Sequence, residues 1–338
     1  MHGRLLELEL DAPSLRDNPL GDPARRALVA YVPPGGEHRR FPAVTFLHGF
    51  TGTAKGWLSP GAFQPTVPER VDALIARGDI PPVIALFPDG FTGVGGTQWM
   101  NSPAVGRYAD YVAEDVVRFA DERLPTIPAR EARAVVGKSS GGFGALHLGG
   151  TRPDVFGFVG AHAADAYFEY CYRPDPPKAA SGLADAADAA AWLAAMKERA
   201  RATKLAGSDH PVLNVIGMAA HYSPRAGAPL GLELPFELPS GRLREEVWGR
   251  WLEHDPVRTI PRRAEAFRRL GGVFVDCGTR DEFNLRWGAR MVAGALRGAG
   301  VEVEHQEFED GHLGINYRFD ASLRWLAPRL HRVAEPGR

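Results

Sequence analysis

Apolar residues occur along the chain in short runs bounded by Pro or Gly, a pattern typical of strands buried in a sheet. The eight runs cover residues 5–10, 27–32, 43–48, 83–87, 133–136, 155–160, 273–277 and 301–308. The first two follow each other without a helical pattern between them. We therefore expect an antiparallel pair at one edge of the sheet.

Helical periodicity, with apolar residues three and four positions apart, lies between or after many of the later strands. The predicted helices are 67–77, 108–124, 142–150, 285–298 and 317–333. Strands that alternate with helices form mostly parallel sheets with helices on both faces. The pattern predicts the α/β class, with one eight-stranded, mostly parallel sheet.

One long segment interrupts this alternation. Residues 162–261 stand between the sixth and seventh strands, where a connection of a few residues is usual. The segment holds an alanine-rich helical pattern at 186–203 and a Pro- and Gly-rich run at 223–241. We interpret it as a cap-like insertion within a catalytic domain that comprises residues 1–161 and 262–338. The alternative is a surface excursion that never meets a substrate.

Composition excludes several function classes. Of the 338 residues, 44% are hydrophobic and 24% charged, and the net charge is -1. Such a chain is typical of globular proteins and offers no basic field to attract nucleic acid or an anionic membrane. Residues 1–11 show no cationic segment followed by a long apolar core, and no stretch is long enough to cross a bilayer. We expect a soluble, cytoplasmic protein with a small-molecule partner, and leave open whether it forms a homo-oligomer.

The two cysteines do not indicate a disulfide or a metal site. Cys277 lies inside an apolar run, so a buried free thiol is expected rather than a bond with Cys171. Neither cysteine has the spacing of a zinc ligand. We expect neither a metal nor an organic cofactor.

A glycine-rich pentapeptide follows the fifth strand. Residues 137–141 read Gly-Lys-Ser-Ser-Gly, with Ser139 between a predicted strand and a predicted helix. In a Gly-x-Ser-x-Gly turn the serine lies at the apex of a sharp bend that exposes its hydroxyl, and a Cβ on the flanking glycines would clash. Ser139 is therefore the candidate nucleophile; the alternative is a glycine-rich loop with an incidental serine.

A carboxylate follows the seventh strand, at the position where the acid of a catalytic triad normally stands. Asp281 is the first candidate, and Glu282 is its competitor. The acid accepts the Nδ1 proton of a histidine, which fixes the tautomer and stabilises the imidazolium formed during attack. An ordinary surface aspartate in a turn is the alternative interpretation.

His312 stands in the turn after the eighth strand, in front of the last predicted helix. An imidazole is suited to remove the proton of Ser139 and return it to the leaving group, because its unperturbed pKa is about 6.5. The order Ser, Asp, His along the chain is the one this kind of nucleophile turn requires. His147 and His162 are expected to be packed or hydrogen-bonded residues instead of bases.

Acyl transfer also needs donors for the negative oxygen of the tetrahedral intermediate. The backbone N–H of Ser140, directly after the nucleophile, is one candidate. The loop after the third strand reads His48-Gly49-Phe50-Thr51 and is expected to supply the second. We predict the Phe50 N–H, with Thr51 as the alternative.

Four places carry a resemblance to a known family. They are residues 47–52 (LHGFTG), the segment Trp99-Met100-Asn101-Ser102 with Gly106-Arg107-Tyr108, residues 137–146 (GKSSGGFGAL), and the Asp281 and His312 loops. In them the chain resembles the esterase D group of α/β-hydrolases, which includes S-formylglutathione hydrolases, enterochelin-type esterases and mycolyltransferases. The resemblance implies the α/β-hydrolase fold, with Ser139, Asp281 and His312 as triad and Phe50 and Ser140 as oxyanion donors.

Two departures from the family pattern concern the substrate. Members often carry His before the nucleophile and Met or Gln after it, where this chain has Lys138 and Ser140. The insertion after the sixth strand is also longer than in the compact members. The resemblance therefore does not carry over any one member's substrate.

Aromatic residues are frequent in the loops at the expected catalytic end of the strands. The substrate-binding candidates are Trp57, Trp99, Phe143 and Tyr167, and the other nearby rings are Phe63, Phe91, Phe168, Tyr170 and Tyr172. Such rings would line an apolar acyl or aryl site. The alternative is that they anchor the insertion to the rest of the domain.

These features predict a serine carboxylesterase that cleaves short acyl or aromatic esters through an acyl-enzyme. An acyltransferase, or a thioesterase of the S-formylglutathione hydrolase type, would use the same triad. A peptidase is a further alternative. A protein of another class, which keeps the fold and binds without chemistry, is the last.

Overall fold

The computed structural model describes residues 1–334, so residues 335–338 of the predicted catalytic domain lie outside the described part. Eight strands form one sheet, one for each predicted run. They are β1 (Arg4–Asp11), β2 (Arg25–Val32), β3 (Ala43–Leu47), β4 (Ile84–Pro88), β5 (Arg133–Lys138), β6 (Phe158–His162), β7 (Gly272–Gly278) and β8 (Val303–Phe308).

The order of the strands across the sheet is β1-β2-β4-β3-β5-β6-β7-β8. β2 pairs antiparallel with β1 and with β4, and all other neighbours are parallel. The predicted antiparallel edge and mostly parallel sheet are confirmed. Because the parallel strands end at the same edge, the turns after β3, β5, β6, β7 and β8 can contribute to one site.

The helices also follow the predicted alternation. They are α1 (Val67–Ala76), α2 (Tyr108–Asp110), α3 (Val117–Arg123), α4 (Ser140–Thr151), α5 (Phe168–Cys171), α6 (Pro176–Leu183), α7 (Ala189–Ala202), α8 (Asp209–Tyr222), α9 (Glu245–Leu252), α10 (Pro256–Arg262), α11 (Ala264–Arg268), α12 (Leu285–Gly298) and α13 (Phe319–Ala334). A π-helical stretch, Tyr111–Val116, joins α2 to α3, so the predicted helix at 108–124 is one helical segment.

Two layers of apolar side chains cover the sheet. On one face, α1 and α13 bury residues such as Val71 and Leu326 against Val44 and Phe46 of β3. On the other face, α3, α4, α12 and much of the insertion bury a larger cluster. Each buried Val or Leu stabilises the fold by roughly 1.5–3 kcal/mol relative to an exposed one, which is why the apolar runs determine these elements.

The beginning of α1 illustrates how local sequence fixes a boundary. The Thr66 side chain accepts a hydrogen bond from the Glu69 backbone N–H, and the Glu69 carboxylate accepts one from the Thr66 N–H at 2.8 Å. This reciprocal capping satisfies two of the N–H groups that a helix start leaves without partners. The helix therefore begins at Val67, as predicted.

The largest boundary difference concerns the sixth strand, predicted at 155–160 and found at Phe158–His162. Val155 and Phe156 are buried but belong to the turn after α4, where their N–H groups donate to the Arg152 carbonyl. Burial alone therefore made two turn residues resemble a strand. The displacement places His162 and the residues after it at the catalytic edge of the sheet.

The insertion between β6 and β7 is mostly helical. Its predicted helix at 186–203 corresponds to α7, which buries Leu193 and Met196. α8 was not predicted, because it is buried on nearly all sides and lacks a polar face. The Ser102 hydroxyl, in a small antiparallel pair formed by Asn101–Ser102 and Gly106–Arg107, donates to the Ala220 carbonyl of α8 at 2.5 Å. The insertion is thus attached to the main sheet domain.

Two structural findings for residues 1–334 concern membrane spans and metal sites. None of the helices in this range is both long and apolar enough to cross a membrane. The same range contains no group of three or more His, Cys, Asp and Glu side chains arranged to hold a metal ion.

Candidate active site

Ser139 occupies the apex of the turn between β5 and α4. Its backbone has φ 59° and ψ -126°, a region that residues with a Cβ rarely adopt. The Ser139 N–H donates to the His162 carbonyl at 3.0 Å, and the Ser139 carbonyl accepts from the Phe143 N–H at 2.9 Å. These bonds hold the strained conformation, which is typical of a residue kept in place for function.

The glycines on both sides of Ser139 have no room for a side chain. A Cβ on Gly137 would lie 2.1 Å from the Gly141 carbonyl oxygen, and a Cβ on Gly141 would lie 2.0 Å from the Leu47 carbonyl oxygen. Both distances are far below van der Waals contact. The Gly-x-Ser-x-Gly spacing is therefore a steric requirement of this turn.

Asp281 and His312 meet at the ends of β7 and β8. The Asp281 Oδ2 atom lies 2.8 Å from Nδ1 of His312, and both side chains are buried. Asp281 Oδ1 accepts hydrogen bonds from the Phe283 N–H at 2.9 Å and the Leu285 N–H at 3.3 Å. Because a carboxylate accepts, Nδ1 of His312 carries the proton and Nε2 is left as the basic nitrogen.

Glu282, the alternative acid, has a different role in the structure. Its carboxylate accepts a hydrogen bond from the backbone N–H of His312 at 2.6 Å and does not contact the imidazole nitrogens. A Cβ on Gly311 would lie 2.6 Å from Glu282 Oε1, so a side chain there would displace this carboxylate. Glu282 therefore fixes the loop of His312, whereas Asp281 orients the ring.

The hydroxyl of Ser139 donates to a residue outside the predicted triad. Its Oγ lies 3.3 Å from Oδ1 of Asp165, which follows β6. Asp165 Oδ2 accepts hydrogen bonds from the Ser140 hydroxyl at 2.9 Å and the Tyr172 hydroxyl at 2.6 Å. Burial raises the pKa of the Asp165 carboxyl, while the hydroxyls of Tyr172 and Ser140 counteract that rise.

This hydrogen-bond chain continues into the core. Gln98 donates to the Ser140 Oγ at 2.6 Å and accepts from the Tyr222 hydroxyl at 3.0 Å. Each side chain in this series of hydrogen bonds therefore donates toward Asp165. Among residues 1–334 no Lys, Arg or His forms an ion pair with this carboxylate.

Two backbone N–H groups close to Ser139 remain available for an oxyanion. The Thr51 N–H is already bonded to the Gly95 carbonyl at 3.0 Å, whereas the Phe50 N–H makes no backbone or side-chain hydrogen bond within the described residues. Ser140 begins α4, so its N–H has no acceptor within the helix. The geometry favours Phe50 and Ser140, as predicted, over the alternative Thr51.

His48 braces the loop that carries Phe50. Its Nε2 accepts a hydrogen bond from the Gly90 N–H at 2.9 Å, and its Nδ1 lies 2.9 Å from the Gly49 carbonyl oxygen. Burial lowers its pKa, so the neutral ring donates through Nδ1 and accepts through Nε2. The Trp99 indole N–H donates to the His48 carbonyl at 3.0 Å.

A second set of serine, carboxylate and histidine side chains lies nearby. It consists of Ser140, Asp165 and His221. His221 Nδ1 lies 2.7 Å from the Gly217 carbonyl oxygen, and its Nε2 is 3.3 Å from both the Gln98 N–H and the Thr97 hydroxyl. Burial lowers the pKa of His221 to about 4. Because both ring nitrogens are engaged away from Ser140, this set lacks a base for its serine.

A cavity of about 450 Å³ opens over Ser139. Its wall combines the Phe50 loop, the Asp281 and His312 loops and the insertion. The lining residues are His48, Gly49, Phe50, Thr51, Gly52, Thr53, Gly56, Trp57, Lys138, Ser139, Ser140, Asp165, Cys171, Tyr172, His210, Asn214, Phe283, Leu285, His312, Leu313 and Asn316. The insertion therefore contributes residues to the wall of this cavity.

Comparison with known proteins identifies the family. Residues 23–312 match the model of the family described as "Putative esterase". The chain belongs to this esterase family. The match spans the nucleophile turn, the insertion, Asp281 and His312, and it ends before the last two lining residues, Leu313 and Asn316.

Solved structures share the fold of the esterase over almost its whole length. A ferulic acid esterase is 19% identical, with 97% of this chain and 99% of that chain covered and a TM-score of 0.61. The S-formylglutathione hydrolase of Staphylococcus aureus is 14% identical, with 97% and 100% covered and a TM-score of 0.58. A ferulic acid esterase of Anaeromyces mucronatus, in complex with ferulic acid, is 16% identical, with 98% and 93% covered and a TM-score of 0.58. These likenesses confirm the α/β-hydrolase fold.

Of the four aromatic candidates for substrate binding, only Trp57 lines the cavity of the esterase. Trp99 and Phe143 are fully buried and pack in the core, the former against His48 and the latter against Phe168 and Tyr222. Tyr167 packs against Tyr170 outside the cavity wall. The expectation was wrong for Trp99, Phe143 and Tyr167, because core rings and pocket rings look alike in a sequence.

The structure adds residues that sequence reasoning missed. Asp165 is described above, and Asn214 and His210 of α8 also line the insertion side of the wall. Tyr172, which was named among the nearby rings, lines it as well. Asn214 Nδ2 donates to the buried Asp175 at 2.8 Å. A polar residue in a long insertion gives no sequence signal of its own, because its role depends on which segment it faces.

His162 is a buried structural residue. Its Nδ1 lies 2.7 Å from Asp276 Oδ1, and its Nε2 lies 2.8 Å from the Ser322 hydroxyl. Asp276 also accepts from Arg318 at 2.8 Å. This third set of Ser, His and Asp, formed by Ser322, His162 and Asp276, lies outside the cavity lining, and all three side chains are almost completely buried.

Proposed function

We propose that the esterase cleaves carboxylic esters with Ser139 as nucleophile, His312 as general base and Asp281 as the residue that orients and stabilises the imidazole. The observation that carries the proposal is the contact of Asp281 Oδ2 with His312 Nδ1 at 2.8 Å, in the wall of the cavity that also contains the strained Ser139. A base with a fixed tautomer and an exposed serine are the two parts that acyl transfer requires.

The reaction has two steps. Ser139 Oγ attacks the ester carbonyl while His312 Nε2 takes its proton, and the imidazolium returns that proton to the departing alcohol. Water then attacks the acyl-enzyme in the same way and releases the acid. The N–H groups of Phe50 and Ser140 stabilise the oxyanion of both tetrahedral intermediates.

The hydroxyl of Ser139 must turn before it attacks. In the structure it donates to Asp165, so its proton is directed away from His312. Rotation about the Cα–Cβ bond exchanges one staggered position for another and leaves the strained backbone unchanged. A substrate that occupies the cavity and displaces water from the serine favours the productive position.

Cavity size supports short acyl or aromatic substrates. A volume of about 450 Å³ lies in the lower part of the range that small-molecule sites occupy, roughly 300–1,000 Å³. The apolar part of the wall comes from Phe50, Trp57, Phe283 and Leu313, and polar groups from the insertion face them. Long lipid chains would extend out of this volume.

An activated phosphonate tests the nucleophile. Intact mass followed by peptide mapping is expected to show one adduct on Ser139 in the wild type and none in Ser139→Ala. Ser140→Ala is the matched control, because it removes the neighbouring hydroxyl but keeps the backbone N–H. An adduct that persists in Ser139→Ala, or that disappears in Ser140→Ala only, would contradict the assignment.

The base is tested in the same assay. His312→Ala is expected to lose labelling, whereas His221→Ala is expected to keep it as long as the protein folds. Labelling that depends on His221 instead would favour the second Ser, Asp and His set. Circular dichroism of each variant separates a loss of chemistry from a loss of folding.

Three further expectations belong to this proposal. The partner is a small ester, with no nucleic acid and no membrane, and the protein acts in the cytoplasm. Residues 162–261 act as a cap on the catalytic domain. Cell fractionation tests the location, and hydrogen exchange of the insertion with and without a phosphonate adduct tests the cap. Light scattering decides whether the protein forms a homo-oligomer, which the sequence left open.

A further inference from the structure

Asp165 is a carboxylate that the proposed reaction does not use, although it contacts the nucleophile. Its Oδ1 has one side-chain partner in the described residues, the Ser139 hydroxyl at 3.3 Å, whereas Oδ2 holds both Ser140 and Tyr172. When Ser139 turns to His312, Oδ1 loses this donor. A buried carboxylate oxygen without a donor is unfavourable, so the turned state calls for a new partner.

From this geometry we propose that Asp165 binds an ammonium group on the α-carbon of the acyl part, so that the preferred substrates are esters of small α-amino acids. The inference rests on the proposed function, because it assigns the acyl side of the same site. Asp165 and Tyr172 both line the cavity, and Oδ1 is the oxygen of Asp165 that lies beside the Ser139 hydroxyl.

The position of Oδ1 selects the α-carbon. In the acyl-enzyme a donor on that carbon is three bonds from Ser139 Oγ and about 3 Å away from it. Before the hydroxyl turns, Asp165 Oδ1 is 3.3 Å from Ser139 Oγ, so the acyl carbon next to the carbonyl is the part of the acyl chain expected to lie nearest this carboxylate. A donor at the far end of an aromatic acid would be too distant to reach Oδ1.

Two of the three groups on the reacting carbonyl carbon already have assigned partners. The carbonyl oxygen of the intermediate is held by the N–H groups of Phe50 and Ser140, and the leaving alcohol must face His312 for protonation. The third substituent of the reacting carbon is the acyl chain. The cavity wall includes Asp165, Cys171 and Tyr172, and we place the acyl chain against this part of it because Asp165 contacts Ser139.

Charge favours an ammonium over a neutral hydroxyl. All donors to Asp165 are neutral hydroxyls, and no cationic side chain of residues 1–334 pairs with it. Lys138 also lines the cavity, but the charges that act on it belong to Asp281 and Glu282. His312 acts on the Asp165 carboxylate through its charge but does not pair with it. A substrate ammonium would therefore be the cation in direct contact, and charge-assisted hydrogen bonds are the stronger kind.

Three ethyl esters of matched size test the proposal: those of L-alanine, lactic acid and propionic acid, with the released acid measured by chromatography. At about pH 6.5 the α-amino group is mostly protonated. We expect kcat/KM for the alanine ester to exceed that for the propionic ester by roughly tenfold to a hundredfold, as one hydrogen bond to a charged group provides.

Asp165→Asn is the decisive variant. Its amide oxygen would take the place of Oδ2, which accepts from Ser140 and Tyr172, and so its NH₂ group would face the cavity and repel an ammonium. The ratio of the two kcat/KM values is expected to fall to about one or below. A variant that merely displaced Ser139 would lower both values by the same factor and keep the ratio, which would overturn the proposal.

Tyr172→Phe is the matched control, because it removes a donor from Oδ2 and leaves Oδ1 unchanged. The preference for the alanine ester is expected to persist in it. Should Asp165→Asn fail to fold, calorimetry on Ser139→Ala gives an independent measurement: L-alaninamide is expected to bind more tightly than propanamide.

The outcomes separate this inference from the proposed function. Hydrolysis of all three esters at similar rates, or a preference for the lactic ester, overturns the ammonium assignment and leaves the esterase chemistry intact. Equal binding of the two amides has the same meaning. No hydrolysis of any ester, together with no phosphonate adduct on Ser139, overturns both.

Discussion

Asp281→Asn removes the acid of the proposed triad without changing its shape. In the wild type, Asp281 Oδ1 is held by the N–H groups of Phe283 and Leu285, which directs Oδ2 to Nδ1 of His312. In the variant the amide oxygen would keep the two backbone bonds, so the NH₂ group would face the imidazole. His312 would then accept through Nδ1 and carry its proton on Nε2.

The wrong tautomer cannot take the proton of Ser139. Loss of a tautomer-fixing acid in this way lowers kcat by about 10³–10⁴, equivalent to roughly 4–5.5 kcal/mol of transition-state stabilisation. The variant should still fold, because its bonds to the Phe283 and Leu285 N–H groups are preserved. A urea unfolding curve checks this point.

The assay is steady-state hydrolysis of a p-nitrophenyl ester of a short acid, with Glu282→Gln as the matched control. The Gln oxygen can still accept from the His312 backbone N–H, the bond that Glu282 makes at 2.6 Å. We expect its kcat to stay within about tenfold of wild type, since no charge is removed from the imidazole contact. A kcat of Asp281→Asn within tenfold of wild type, or an equally large loss in Glu282→Gln, would refute the assignment.

Two further predictions concern stability. Gly141→Ala places a Cβ 2.0 Å from the Leu47 carbonyl oxygen and is expected to lower the free energy of unfolding by about 1–3 kcal/mol or more. The control Gly249→Ala has open space around the new Cβ and should change the free energy of unfolding by less than about 1 kcal/mol or raise it. Urea unfolding compares the two variants. Burial lowers the pKa of His221 to about 4. The neutral ring therefore favours the folded state fully above about pH 6.5, and the free energy of unfolding falls by about 3 kcal/mol as the pH falls toward 4. His221→Gln should lack this part of the acid loss, and equal pH slopes in the two proteins would contradict it.

Sequence reasoning was most successful where a local rule determines the structure. The nucleophile turn is such a place, since Gly137 and Gly141 are required by clashes with atoms a few residues away or on the neighbouring strand. Asp281 and His312 are 31 residues apart but follow adjacent parallel strands, so the order of elements was enough to bring them together. Their contact could be predicted from position, whereas their catalytic roles stay a proposal.

Prediction was least successful in the insertion and in the pocket. α8 lacks a polar face, so its periodicity did not stand out, yet it supplies His210 and Asn214 to the cavity. Trp99 was expected in the pocket and lies in the core, where its indole N–H holds the His48 carbonyl. In both cases the outcome depends on which other segments a side chain contacts, and a single sequence does not show those contacts.

The two aspartates near Ser139 show why the site needed tertiary information. Asp281 receives two backbone N–H groups and an imidazole, so its oxygens are fully used to orient His312. Asp165 receives only hydroxyl groups, and one of them belongs to the nucleophile itself. Carboxylates in unlike environments take unlike roles within one site. Asp281, surrounded by backbone donors, is suited to hold His312 in place. Asp165 loses the Ser139 hydroxyl during the reaction, so it is suited to bind the substrate group that takes the place of that hydroxyl.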